Sequence, residues 1–414
     1  MDHARRPRPL VIAHRGASGH RPEHSAAAVR LGFAQGADAV EPDLVASSDG
    51  VLVIRHENEL SGTTDIADRP ELADRRTTRL VDGVERTGWF TEDMTWAEIR
   101  TLRCRERIPA VRPGSARHDD EETVLSLPDL LRIIDQESAR HGRPLGMVAE
   151  IKHATHFRAL GLPLDELLAR DLGAHGWAED ASRLTVESFE RDVLLRVRAR
   201  GVAARLVYLL EGRGRPADEV ARVGDRAVTF DDQLTDAGLA ALAAEVDGIS
   251  VGVERIVAAA GFGAARAASA GPAPVDPAST APASTAPAAG APAPAPAAAA
   301  GAAVPAAAEG VERAAADADA DGSDGAGGGL PMVAPVSDLV ERAHRAGLTV
   351  FTWTLRPENA FLPRPLRSAG PRSAHGDHRT QWGRLLDAGV DGVFADHPDL
   401  AVRLVAERAA ASGR

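Results

Sequence analysis

The sequence predicts a (β/α)8 barrel, an α/β fold of eight parallel strands ringed by helices, on three observations. Short apolar runs of strand length alternate with helix-like segments along the chain, and eight such runs are found. The runs are continuous rather than alternating, the pattern of parallel strands buried on both faces. With two atypical stretches set aside, about 270 of the 414 residues remain, close to the ~250 typical of this barrel. A doubly wound open sheet is the competing architecture. The lack of a Gly-rich phosphate loop after the first strand weighs against it.

The eight runs, in order, are PLVIAH (9–14), DAVEPDLVA (38–46), LGMVAEI (145–151), RLTVES (183–188), ARLVYLL (204–210), DGISVG (247–252), LTVFTWT (348–354) and DGVFAD (391–396). Helix-like segments such as HSAAAVRLGFAQG (24–36) and VSDLVERAHRAG (336–347) lie between them. The barrel domain is expected over 8–405. Residues 57–128, between the second and third strands, form a small insertion within it. Residues 258–330 are almost all Ala, Pro, Gly, Ser and Thr, with little to bury, so a disordered linker after strand six is expected. Its acidic part, Asp317, Asp319 and Asp321, resembles the opening of a calcium loop. Gly328 stands where such a loop needs a bidentate Glu, so the stretch is read as a solvated acidic linker.

Composition narrows the function. A formal charge of -12 argues against a nucleic-acid partner. No apolar run approaches the roughly 18 residues of a membrane helix. Cys104 is the single cysteine and cannot form an internal disulfide. The start, MDHARRPRPLVIAHRG, has an apolar stretch of only four residues, against about 7–15 for a signal peptide. As written, the protein is expected in the cytoplasm, or exported if the true start lies upstream.

In this barrel, residues at the C-terminal ends of the strands carry the chemistry. Strand one ends in His14 and Arg15, followed by Gly16, which permits a tight exit. Strand two carries Glu41 and Asp43, two apart and therefore on one face. Two crowded carboxylates call for a cation between them, and oxygen ligands suit a hard divalent ion. Pro42 suits a strand's end. SSDG then turns the chain, and VLVIRHE returns His56 to the same mouth. Strand three ends in Glu150 and Lys152, again on one face; Lys152 is the only lysine in the chain. Strand four places Ser188 and Phe189 at the rim, strand seven places Trp353 there, and strand eight ends FADHP. Carboxylates beside Arg and Lys make a site for a metal and an anion together. Two histidines supply a general acid and a general base near neutral pH. No Gly-x-Ser-x-Gly elbow is present, so acyl transfer is not expected. Zinc is not expected either: there is no Cys pair, and His20 and His24 precede no helical metal motif. Those two are read as loop residues, with Glu23 capping the next helix.

These residues resemble the glycerophosphodiester phosphodiesterase family. The resemblance rests on HRGASGHRPEHS, GADAVEPDLVASSDGVLVIRHENEL, AEIK, ESF, FTWT and GVDGVFADHP, in the family's order and across nearly the whole chain outside the linker. HENELSGTTDIADR and RTGWFTEDMTWAEIRTL are similar to the long branch that includes exported bacterial enzymes. The resemblance implies hydrolysis of glycerophosphodiesters, such as glycerophosphocholine or glycerophosphoethanolamine, to sn-glycerol 3-phosphate and an alcohol. It implies His14 and His56 as the acid/base pair, and Glu41, Asp43 and Glu150 as ligands of one divalent cation, Ca²⁺ or Mg²⁺. It implies Arg15 and Lys152 as phosphate contacts, and Phe189 and Trp353 as walls at the glycerol end. The family's frequent Pro-Glu-Asn-Thr is here Pro22-Glu23-His24-Ser25, and its frequent His-Asp is His56-Glu57; neither departure falls on an inferred ligand. Two other readings stand beside this one. One is a sphingomyelinase D-like phospholipase on the same kind of barrel. The other is a non-catalytic phosphoester-binding protein.

Overall fold

A computed structural model describes residues 8–257 and 336–412. The linker expected at 258–330 and its calcium-loop look-alike lie outside the described residues. The strands are β1 (Leu10–His14), β2 (Ala39–Glu41), β3 (Asp43–Ala46), β4 (Leu52–Ile54), β5 (Thr77–Val81), β6 (Val84–Gly88), β7 (Gly146–Ile151), β8 (Leu184–Ser188), β9 (Arg205–Leu210), β10 (Gly248–Gly252), β11 (Thr349–Leu355) and β12 (Gly392–Ala395). All eight expected runs are strands. Their parallel pairings close a ring: β1 beside β2, then β7, β8, β9, β10, β11, β12 and back to β1. The second position is shared, because Pro42 splits one run into β2 and β3. Proline has no N–H for the ladder, yet the Pro42 carbonyl accepts from Glu150 N at 2.9 Å, so the break costs little.

Two apolar regions sort by side-chain alternation. The larger lies between strands and helices and includes Val11, Val40, Met147, Val186 and Val393. The smaller, Ile12, Ala39, Val148, Val207, Phe351 and Phe394, fills the barrel's interior. Two residues along each of five of these strands stand His14, Glu41, Glu150, Trp353 and Asp396. A strand's period of two therefore stacks a polar layer directly on the apolar plug.

Helix Ala26–Ala34 begins at Ser25, whose hydroxyl accepts from Ala28 N at 3.1 Å. Ser25, and not Glu23, is thus the cap. Gly16, at φ +84°, brings the exit of β1 against this helix; a Cβ there would meet the Ala28 carbonyl carbon at 2.6 Å. Between β4 and β7 the chain folds a β5–β6 hairpin about Asp82-Gly83, both at positive φ, which the sequence reading did not identify although VDGV is a hairpin-turn pattern. Cys104 is buried in this part, and burial pushes its thiol to about 12, so it is not a nucleophile. Among the described residues, no helix is long and apolar enough to cross a membrane.

Candidate active site

The C-terminal ends of the strands open into one cavity of about 470 Å³, walled by His14, Glu41, His56, Glu150, Lys152 and Glu187 among others. Register explains the gathering. His14 lies opposite Glu41 across β1 and β2. Asp43 lies opposite Glu150, and Glu150 opposite Glu187, in a row across β3, β7 and β8. Cross-strand partners share a face, so three carboxylates stand side by side, with Glu41 on the same face as Asp43. Glu187 was missed in the sequence. Ser188 and Phe189 mark the rim in the sequence, yet Glu187 lies two residues before Phe189 and so on its face. Ser188 turns away from the mouth and donates to the Ile151 carbonyl at 2.8 Å.

Each histidine is held from behind by a carboxylate, which is in turn held by an arginine. His14 Nδ1 lies 2.5 Å from Asp396 Oδ1, and Asp396 Oδ2 accepts from Arg356 Nε at 2.8 Å and from Arg112. His56 Nδ1 lies 2.6 Å from Glu57 Oε1, and both Glu57 oxygens accept from Arg107 at 2.7 Å. With Nδ1–H donated backwards, Nε2 of each ring is the atom left for chemistry. Arg107 and Arg112 both come from the segment between β4 and β7, so this segment braces both histidines. Burial, then Arg15, pulls both rings down to about 4, so both are neutral imidazoles near pH 7.

The two sequence departures sit against the site. Glu57 fills its place as the partner of His56. His24, expected as a loop residue, is buried and its Nε2 lies 2.9 Å from Asp43 Oδ2. Glu23 pairs with Arg107 at 2.7 Å and with Arg15 at 3.3 Å. Arg15 itself stands at φ 57°, its N–H donating to Glu41 Oε2 at 3.0 Å and its Nε lying 3.3 Å from Asp43. Lys152 is the hub. Its Nζ lies 2.8 Å from Glu150 Oε1, 3.2 Å from His56 Nε2, 3.7 Å from Asp43 Oδ1 and 5.6 Å from the centroid of the Phe189 ring. Neighbouring carboxylates outweigh its burial and raise it, so it stays an ammonium. Phe189 and Trp353 meet edge to face at 5.9 Å between centroids and form the aromatic wall.

The acidic row fits a divalent cation. One oxygen from each of Glu41, Glu150 and Glu187 lies within 4.8 Å of the others. Asp43 Oδ1 and Glu187 Oε2 are buried without a hydrogen-bond partner. Fully ionised, Glu41, Asp43, Glu150 and Glu187 would set four negative charges against the two positive charges of Arg15 and Lys152, an excess of two. Burial and mutual repulsion raise Glu41 and Glu187 well above the ordinary range and Glu150 to about 8. Asp43 stays low despite burial, because His56, Lys152 and Arg15 surround it. A hard cation with oxygen ligands relieves that repulsion.

A pH test follows with a definite sign. Without a cation, Glu150 keeps in the folded state a proton that the unfolded chain releases near 4.5. That contribution to stability is present below 4.5 and is lost as pH rises through about 8. A bound cation replaces the proton. The rise in thermal midpoint on adding Ca²⁺ or Mg²⁺ is therefore expected to be larger at pH 8 than at pH 5. An equal or smaller rise at pH 8 would contradict the cluster's role as the cation seat.

Comparisons with known proteins point to one family. Residues 14–254 and 292–400 match the glycerophosphoryl diester phosphodiesterase family. A stretch of 102 residues is 45% identical to a glycerophosphodiester phosphodiesterase of Arabidopsis thaliana, covering 25% of this chain and 27% of that one. A stretch of 214 residues is 26% identical to the glycerophosphodiester phosphodiesterase of Haemophilus influenzae, covering 49% of this chain and 56% of that one. The matches thus span about half or less of those relatives' own lengths. Among solved structures, a phosphodiesterase from Oleispira antarctica in complex with the product sn-glycerol-3-phosphate shares the fold, with a TM-score of 0.50 at 17% identity, covering 96% of this chain and 97% of that one.

Proposed function

The chain belongs to the glycerophosphoryl diester phosphodiesterase family, and on that premise we propose that it hydrolyses glycerophosphodiesters to sn-glycerol 3-phosphate and an alcohol, using a divalent cation and the two histidines. The observation that carries the proposal is the pair of carboxylate-backed imidazoles, His14–Asp396 and His56–Glu57, sharing one cavity with the acidic row. The Oleispira relative's complex with sn-glycerol-3-phosphate supports the same product.

Glu41 and Glu150 would hold the cation, with Asp43 and Glu187 supplying the remaining protein oxygens. Bound there, a divalent ion supplies Lewis-acid polarisation of a phosphoryl oxygen and acidifies the attacking hydroxyl. The chain's own residues do the rest. One histidine Nε2 takes the proton as the attacking oxygen bonds to phosphorus; water gives sn-glycerol 3-phosphate directly, whereas the glycerol 2-hydroxyl gives a cyclic phosphate that a water then opens, with the two histidines exchanging roles. The other histidine enters the step as an imidazolium, favoured by its carboxylate and by the anionic substrate beside it, and delivers its Nε2 proton to the alcohol oxygen as the P–O bond breaks. Asp396 and Glu57 keep the rings in register and stabilise whichever becomes imidazolium. Arg15 and Lys152 offset charge on the phosphoryl oxygens, and Phe189 with Trp353 packs the glycerol carbons. Assay of the full chain on glycerophosphocholine and on a lysophospholipid, with the same cation, tests the reading. Hydrolysis of the first alone supports it; hydrolysis of the lysophospholipid alone would make the protein a phospholipase.

Lys152→Arg is expected to keep the fold and the charge but lower kcat about 10- to 100-fold, since a displacement near 1 Å at a reacting group is enough for that. A planar guanidinium cannot fill the compact hub between Glu150, Asp43 and His56 without shifting one of them. Unchanged kcat in this variant would show that only the charge at position 152 matters.

A further inference from the structure

We propose that the protein carries a second metal site, for Zn²⁺ or a similar transition ion, formed by His20, His397 and Asp399 away from the acidic row. His20 lies in the loop after β1; His397 and Asp399 flank Pro398 where β12 runs into helix Pro398–Ser412. One donor atom from each of the three lies within 4.8 Å of the others. His20 Nε2 and Asp399 Oδ1 are already 3.2 Å apart. Tetrahedral zinc, with bonds of about 2.0–2.2 Å, holds neighbouring donors roughly 3.3–3.5 Å apart, so this pair needs little adjustment. The His20 and His397 rings meet edge to face at 4.6 Å between centroids.

A second observation points to a ligand. His397 is 4% exposed, and its Nδ1 is buried without a partner. Its Nε2 lies 3.1 Å from Glu358 Oε1, and that oxygen also accepts from Arg112 Nε at 2.7 Å. A carboxylate on one imidazole nitrogen and an open second nitrogen is the arrangement that orients metal-ligating histidines. As a plain hydrogen-bonded histidine, His397 leaves the cost of its buried Nδ1 without explanation. The loop is built against this ring: a Cβ on Gly19 would fall 2.2 Å from His397 Nε2. Two imidazoles and one carboxylate select zinc over the hard ions suited to the all-oxygen row. The site needs no zinc motif on one helix. Here the ligands come from the two ends of the chain, brought together because β1 and β12 are neighbours in the ring. The His375 ring meets that of His397 edge to face, 5.1 Å between centroids.

Such a site would tie the first loop, which carries Arg15 and Glu23, to the turn that follows Asp396. The test uses the full-length protein, stripped by chelation and titrated with Co²⁺ as a spectroscopic probe, then with Zn²⁺ in competition. The expected result is one equivalent of a strong visible absorption, the mark of low-symmetry nitrogen coordination, displaced by Zn²⁺. It should persist in Glu41→Gln and be lost in His20→Ala. Glu358→Gln should weaken Zn²⁺ about 10- to 100-fold. His20 is a third exposed in its side chain, so its removal leaves the fold intact, which circular dichroism checks. No absorption in the parent, absorption that survives in both His20→Ala and Asp399→Asn, or absorption lost in Glu41→Gln would each overturn the assignment.

Discussion

Replacing His14 by alanine is expected to lower kcat on a glycerophosphodiester by about 10²–10⁴-fold, with a similar loss for His56→Ala. The double variant should lose little more than either single one, because acid and base act in one concerted scheme and removing either disables the unit. Each ring is held from behind by a carboxylate. His14 Nδ1 is fixed by Asp396 at 2.5 Å and His56 Nδ1 by Glu57 at 2.6 Å, so each ring presents Nε2 in one tautomer. Asp396→Asn is the sharper probe. It keeps the shape and removes the charge that stabilises an imidazolium, so kcat should fall while KM stays near the parent value. If His14→Ala turns over substrate like the parent, the acid/base assignment fails.

The second large effect is expected from chelation. Stripping divalent cations should cost about 10²-fold or more in turnover, since a Lewis acid at a phosphoryl oxygen contributes several kcal/mol and each 1.4 kcal/mol is tenfold. The local charge count gives the reason. Four carboxylates face one arginine and one lysine, and three of the four are forced towards protonation by burial and one another. A protonated acidic row cannot bind a cation, and an ionised one without a cation repels the phosphate. Glu187→Gln separates the two sets of possible ligands. If Glu187 is a ligand beside Glu41 and Glu150, the variant needs a higher cation concentration for half-maximal activity and reaches a similar maximum once saturated. Unchanged cation dependence would leave Asp43 as the third donor.

Much of this was legible in the sequence, for a physical reason. Barrel strands are buried on both faces, so each writes a continuous apolar run, and all eight were found. His14, Glu41 and Glu150 were legible because each ends such a run, where charge is out of place unless it works. Glu187 ends one too. It was passed over because the residues beyond it drew attention to the rim, although counting back by two from Phe189 reaches it. Asp396 was seen in FADHP without a role, because its partner His14 lies at the other end of the chain. Arg107 and Arg112 left no local signal. An arginine that braces a carboxylate fifty residues before it, as Arg107 braces Glu57, looks in sequence like any other surface arginine. His24 was judged by its loop, and only the structure brings it to Asp43.

We propose that one cavity, with two carboxylate-backed histidines and a cation-holding acidic row, cleaves the phosphodiester on the alcohol side. The most direct test follows glycerophosphocholine by phosphorus NMR with chelated protein, before and after addition of Mg²⁺ or Ca²⁺. No conversion is expected before addition, and sn-glycerol 3-phosphate with free choline after it. Conversion that is indifferent to chelation, or phosphocholine as the phosphorus-bearing product, would contradict it.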